Sequence, residues 1–335
     1  MCRQKILYKV VTMSKIVGIG NALVDVIVSL PDETLFDKFG LKKGGMEMIE
    51  QETKRSIHEH IKELKQVIAS GGSTSNTMHG LARLGASAGY IGKISQDEAG
   101  MFFKNELLKS NITDHLIYSD IDTGIATTLM TSDAERTFAT YLGAASTMKS
   151  DEINREILKH YEYILVEGYL IFNRELITQI CRLAKEENLK IAMDMASYNL
   201  VELNRDFIKE LLENYVDIVF ANEEEAFAFT NKNEREALDE LSKYCEVAVV
   251  KLGCKGSIAN IHGKIIEIPA YKANCIDTNG AGDIYAAGFL YGLIHNMPVQ
   301  EIGKLASRLS GELVETVGAK LSDEQWEILL QEIQK

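Results

Sequence analysis

The sequence is short of proline, with Pro31, Pro269 and Pro298 the only ones, and it has a single tryptophan. So little proline leaves no proline-rich linker, and no shift in composition marks a boundary between independent domains. The cysteines (Cys2, Cys181, Cys245, Cys254, Cys275) are odd in number and scattered, with no CxxC pair. That excludes a disulfide framework and a cysteine metal cluster, and predicts reduced thiols in a cytoplasmic protein. The seven histidines have no metal or triad spacing. His58 and His60, in "RSIHEHIKELK", are expected on the solvated face of a polar helix. No apolar run approaches the roughly 18 residues of a membrane span. Positive charge is also scarce: 36 Lys and Arg against 49 Asp and Glu leave a net charge of −13. Nucleic acid and anionic membranes are therefore excluded as general partners, while a local basic pocket for a phosphorylated ligand stays open.

What the chain has in plenty is short β-branched runs alternating with helical patterns. "KIVGIG" (15–20), "YILVEG" (163–168), "KIAMDM" (190–195), "DIVFAN" (217–222) and "VAVVKLG" (247–253) read as strands. Several are apolar throughout, as in strands buried on both faces of a parallel sheet. Segments such as "RELITQICRLAKEEN" (174–188) between them carry apolar residues at helical spacing. The alternation predicts an α/β fold: a doubly wound, mainly parallel central sheet flanked by helices. Two stretches, at about 24–50 and 112–141, alternate more and are rich in turn signals. They predict antiparallel strands off the main sheet, forming a small β-sheet lid, with "TSDAERT" (131–137) at a hairpin tip. Residues 1–13 read as an N-terminal extension ahead of a single domain over 14–330.

The string "DTNGAGDIYAAGFLYGL" (277–293) carries the chemistry. Gly280, Ala281 and Gly282 open a helix, where backbone N–H groups lack helical acceptors and the dipole is positive. Such a junction is an anion hole. Asp283 beside it would repel an anion, unless its task is to take a proton from a hydroxyl that attacks the anion. That is phosphoryl transfer to an alcohol, with Asp283 as general base. For a bare GxG the plainer alternative is a turn at Asp277, a cap at Asp283 and glycines that serve packing.

The whole string matches D-T-x-G-A-G-D, and so resembles the PfkB (ribokinase-like) family of carbohydrate and nucleoside kinases. "GIGNALVDVI" (18–27), "GGSTSNTMHGLARLG" with "YIGKISQDEAG" (71–100) and "KLGCKG" (251–256) resemble its other motifs, in the expected order. The similarity spans about residues 14–330. The family commonly has Gly where this chain has Ser95, which would be strained if that backbone needs a positive φ.

The resemblance implies an ATP- and Mg2+-dependent kinase of a small molecule, monomeric or homodimeric, with Asp283 as catalytic base and Gly280–Gly282 as anion hole. Asp25, Gly71, Gly72 and Asn76 fall where the family binds acceptor hydroxyls. Asn222 and Glu225, in "ANEEEAF", resemble the N-x-x-E motif that organises magnesium through water; an asparagine cap with an acidic first turn is the alternative. Lys251, Gly253, Gly256 and the lid residue Arg136 are expected on the nucleotide side. "GNALVDVI", "LKKGGMEMI" and "ERTFATYLGAA" are similar to adenosine kinase segments, with Gly45 in place of Ser and Tyr141 in place of Asn. They favour a purine nucleoside, adenosine first, with Asn21, Leu23, Met46, Met48 and Tyr169 around it. Alternatives are a free sugar such as ribose or fructose, or a sensor that has lost catalysis. An NAD-dependent dehydrogenase is excluded, because "GIGNALVD" lacks the third glycine of its fingerprint.

Overall fold

A computed structural model of the chain describes residues 15–133 and 135–333. The extension expected over residues 1–13 lies outside the described residues. Among the described residues, fourteen strands follow in chain order. The first eight are β1 (Lys15–Ile19), β2 (Leu23–Ser29), β3 (Met46–Met48), β4 (Gln66–Gly71), β5 (Ser87–Ser95), β6 (Thr113–Ser119), β7 (Thr123–Met130) and β8 (Arg136–Gly143). The others are β9 (Tyr163–Glu167), β10 (Lys190–Asp194), β11 (Ile218–Asn222), β12 (Val247–Lys251), β13 (Ser257–Ile261) and β14 (Lys264–Ile268).

Nine strands form the main sheet in the order β14-β13-β12-β11-β10-β9-β1-β5-β6. From β12 to β6 all neighbours run parallel; β13 and β14 add an antiparallel hairpin at one edge. Both faces are covered. β9 sends Leu165 into one apolar cluster, with Phe289 and Ala306, and Ile164 and Val166 into another, with Ile177 and Leu211. This two-sided burial is why these strands read as unbroken apolar runs. The chain winds from β1 to β5 and β6 on one side, then resumes at β9 on the other side of β1. The strand order therefore switches between β1 and β9, and ligands bind such sheets beyond the carboxyl ends of strands at that point.

The lid is a second sheet, ordered β3-β8-β7-β2-β4, and it corrects the expected boundaries. β6 belongs to the main sheet, parallel to β5, because the helix Glu98–Lys109 carries the chain back across the sheet as a crossover. Its alternating pattern reflects its position at the sheet edge. β4, outside both expected stretches, completes the lid by pairing antiparallel with β2. The lid is also mixed rather than antiparallel, since β2 runs parallel to β7 and β3 to β8. β7 and β8 pair antiparallel, with Met130 opposite Arg136, as the expected hairpin. Ser95 needs no unusual backbone: it ends β5 in extended form and its N–H donates to Thr123 Oγ1 at 2.9 Å. His58, expected in solvent, is half-buried against the lid, with Nε2 3.1 Å from Thr127 Oγ1.

Candidate active site

The switch point opens into a cavity of about 320 Å³ between sheet and lid. Its lid wall comes from alternate residues of four strands: Leu23 and Asp25, Met46 and Met48, Ala126 and Thr128, and Phe138, Thr140 and Leu142. Period-two spacing puts each set on one face of its strand, which is why a strand-rich lid can present a continuous wall. The floor is Asn21, Gly72, Ser73, Asn76, Glu167, Tyr169, Asp194, Asn222, Glu225, Lys251, Gly280, Gly282 and Asp283. Most of the sequence-predicted residues therefore converge here.

Asp283 lies in the first turn of the helix Ala281–Ile294. Its carboxylate accepts from Ser73 Oγ at 2.7 Å and from Asn76 Nδ2 at 2.9 Å. Burial pushes its pKa above the usual carboxylate range, against the pull of the Asn76 and Ser73 hydrogen bonds; Asp194 adds to the rise and Lys251 opposes it. A carboxylate so shielded is a stronger base than one in water. Asn76 lines the cavity, and its Oδ1 is buried with no hydrogen-bond partner. Buried polar atoms seldom stay unpaired, so this one fits a hydroxyl donor.

The Gly280–Gly282 segment leads into this helix through a left-handed residue. Gly280 sits at φ +71°, and a Cβ there would come within 2.6 Å of Ala319. Ala281 N–H is taken by Thr278 O, whereas the amides of Gly280, Gly282 and Asp283 have no acceptor among the described residues. The unpaired amides thus flank Ala281, whose own N–H is occupied. Asp277 holds the loop, accepting from Asn279 N at 2.8 Å and Gly318 N at 2.6 Å. Arg136 Nη1 reaches Asp277 Oδ1 at 2.5 Å, so the lid arginine is paired to the loop's first aspartate and does not line the cavity.

The glycines at the acceptor end have specific reasons. A Cβ on Gly71 would lie 2.0 Å from Asp25 Oδ1, and one on Gly72, at φ +88°, 2.3 Å from Asn21 O. Asp25 therefore rests on bare backbone. Burial raises its pKa to about 7, partly offset by Lys320 and reinforced by Asp283.

Glu167, which sequence reasoning missed, ends β9 beside β1. It accepts from Asn21 N at 3.1 Å, Asn21 Nδ2 at 2.7 Å and Thr74 N at 3.2 Å. Burial lifts its pKa to about 7 in spite of those donors. Its signal was a charged residue closing the apolar run "YILVE". Ser73 and Asp194 were also missed.

Asn222 and Glu225 form a reciprocal cap: Asn222 N and Nδ2 donate to the two Glu225 oxygens at 2.8 and 2.9 Å, and Glu225 N donates to Asn222 Oδ1 at 2.8 Å. The capping alternative is thus real, yet both residues also line the cavity. Among the described residues no three His, Cys, Asp or Glu side chains gather as a metal cage. That donor set fits magnesium held through water and phosphate oxygens. Gly256, at φ +98°, is explained by its turn, since a Cβ would strike Ile268 O at 2.0 Å. Gly253, at φ +54°, faces open space; neither glycine lines the cavity.

The model of the pfkB family carbohydrate kinases matches residues 34–326. The chain belongs to this family. As a pfkB-family protein it is an ATP-dependent phosphotransferase. A curated relative, 5-dehydro-2-deoxygluconokinase of Halalkalibacterium halodurans, is 28% identical over 290 residues, 81% of this chain and 86% of the relative. The adenosine kinase structure of Sinorhizobium meliloti is 28% identical, with a TM-score of 0.85 over 96% of this chain and 99% of that one. A probable sugar kinase structure from Rhizobium etli CFN 42 is 26% identical, with a TM-score of 0.86 over 96% and 99%. Among the described residues no helix is long and apolar enough to cross a membrane.

Proposed function

We propose that this pfkB-family kinase transfers the γ-phosphoryl group of ATP, with magnesium, to the hydroxymethyl group of a purine nucleoside, adenosine first. The observation that carries the choice is the lining of the acceptor end. Asp25, Asn76 and Glu167 offer partners for ribose hydroxyls. Above them Leu23, Met46, Met48, Phe138, Leu142 and Phe172 form an apolar slot with aromatic faces. Stacking a base in such a slot contributes about 1–3 kcal/mol. A sugar acid, the acceptor named for the H. halodurans relative, brings a carboxylate. Among the described residues the cavity lining holds one lysine or arginine, Lys251, paired with Asp194. At the acceptor end an anionic group would meet the carboxyls of Asp25 and Glu167, with Lys320 near Asp25 but outside the lining. The likeness to the S. meliloti adenosine kinase supports the same reading.

Asp283 takes the hydroxyl proton as the hydroxyl oxygen attacks the γ-phosphorus. The new oxygen–phosphorus bond forms while the bond from phosphorus to the β,γ-bridging oxygen breaks, and its electron pair leaves with ADP. The amides of Gly280, Gly282 and Asp283 hold the charge of the transferring group. Asn222 and Glu225 would hold bound magnesium through its waters, and the metal's role is to neutralise phosphate charge. Gly253 gives the nucleotide an open backbone. The lid closes over the acceptor and excludes water, with Arg136 able to exchange Asp277 for a phosphate oxygen.

Steady-state kinetics with adenosine, inosine, ribose, fructose and 5-dehydro-2-deoxygluconate test the choice. We expect the highest kcat/KM for adenosine. A free sugar or the sugar acid well above both nucleosides would overturn it and leave the kinase assignment standing.

A further inference from the structure

Lys251 is the last residue of β12, and its ammonium has an unusual setting. Nζ pairs with Asp194 Oδ2 at 2.8 Å, at the end of β10. On its other side it presses on the anion loop: a Cβ built on Gly282 would lie 3.1 Å from Nζ. The lysine thus stands under the peptide that opens the anion hole. The cavity is lined by the carboxylates of Asp25, Glu167, Asp194, Glu225 and Asp283, against this single ammonium. Such a lining repels a triphosphate unless a fixed positive charge meets it where the phosphoryl group moves. Lys251 lines the cavity together with Gly282 and Asp283, and its side chain is 15% exposed.

We propose that Lys251 is a catalytic residue of the transfer: its ammonium contacts the γ-phosphoryl group at the anion hole and takes up charge that accumulates on its oxygens, with Asp194 as the positioning residue that aims it. This rests on the kinase reading above and adds a role to it. Lys251 forms no covalent bond and keeps its protons. A lysine ammonium is an ordinary cation at neutral pH. Gly282 follows from the same geometry, because any side chain there would push the ammonium away from the loop.

The test uses the full chain as Lys251→Met and as the double variant Asp194→Asn/Lys251→Met, which leaves no unpaired buried carboxylate at position 194. Calorimetric titration with magnesium AMP-PNP and magnesium ADP reads the γ-phosphate contact without turnover. Wild type is expected to prefer AMP-PNP, and both variants to lose that preference while ADP binding persists. With the acceptor that wild type uses best, kcat should fall about 10²–10³-fold, as when one oxyanion donor is removed. A folded double variant that keeps the AMP-PNP preference, or turns over within about threefold of wild type, overturns the proposal. Wild type inactive on every acceptor tested would sink the acceptor reading instead, and the two titrations would still decide whether Lys251 contacts the γ-phosphate.

Discussion

Asp25→Asn should stabilise the protein in proportion to pH while destroying acceptor binding. The Asp25 carboxyl is raised from the ordinary 3.8 to about 7, mainly by burial. A carboxyl raised on folding contributes stability that is fully present below its unfolded pKa and is lost as pH rises through the folded one. Above pH 7 the buried charge costs about 4 kcal/mol, at 1.36 kcal/mol for each tenfold change in protonation. At pH 5 only the interval from 3.8 counts, and the cost is about 2 kcal/mol. Asparagine keeps the shape and removes the charge. The variant should therefore exceed wild type by about 4 kcal/mol at pH 8, about 2 at pH 5 and close to nothing at pH 3.5. Glu167 titrates in a similar range but is present in both proteins, so it cancels in the difference. Urea unfolding at the three pH values, with an unchanged slope, measures this directly. Equal midpoints at pH 8, or a gain that does not shrink toward acid, would refute the argument that burial sets this carboxyl. The same variant should bind acceptor far more weakly at every pH.

Asp283→Asn should leave fold and ATP affinity largely intact while turnover falls by roughly 10²–10⁴-fold, since the base is lost and the anion hole stays; near-normal turnover in rapid-quench assays would remove Asp283 from that role. Gly71→Ala would place a Cβ 2.0 Å from Asp25 Oδ1, so the carboxylate or the strand must move. We expect a loss of about 1–3 kcal/mol in stability and a large rise in acceptor KM with ATP binding spared; unchanged KM would mean that Asp25 does not bind acceptor.

Much of this protein is determined by its sequence alone, because the signals are local. The unbroken apolar strands dictate a sheet buried on both faces, and β-branched composition with helical spacing between them dictates parallel crossovers. The Asn-Gly-Ala-Gly-Asp string needs only its own backbone to make a helix N-terminus with free amides, so the candidate base and candidate anion hole are legible at once. The tertiary structure decided what depends on residues distant in sequence. β6 joins the main sheet and β4 the lid, because an edge strand and a lid strand have the same one-sided alternation and only pairing tells them apart. Glu167 becomes a site residue only because the strand order switches between β9 and β1, bringing its carboxylate to Asn21. Arg136, expected on the nucleotide side, is paired instead with Asp277, which only the fold sets against it. Lys251, expected on the nucleotide side, meets Asp194 and the backbone at Gly282 only once the fold closes around its ammonium. In each case charge and hydrogen bonding act through space over a few ångströms, a distance that the order of residues along the chain does not encode.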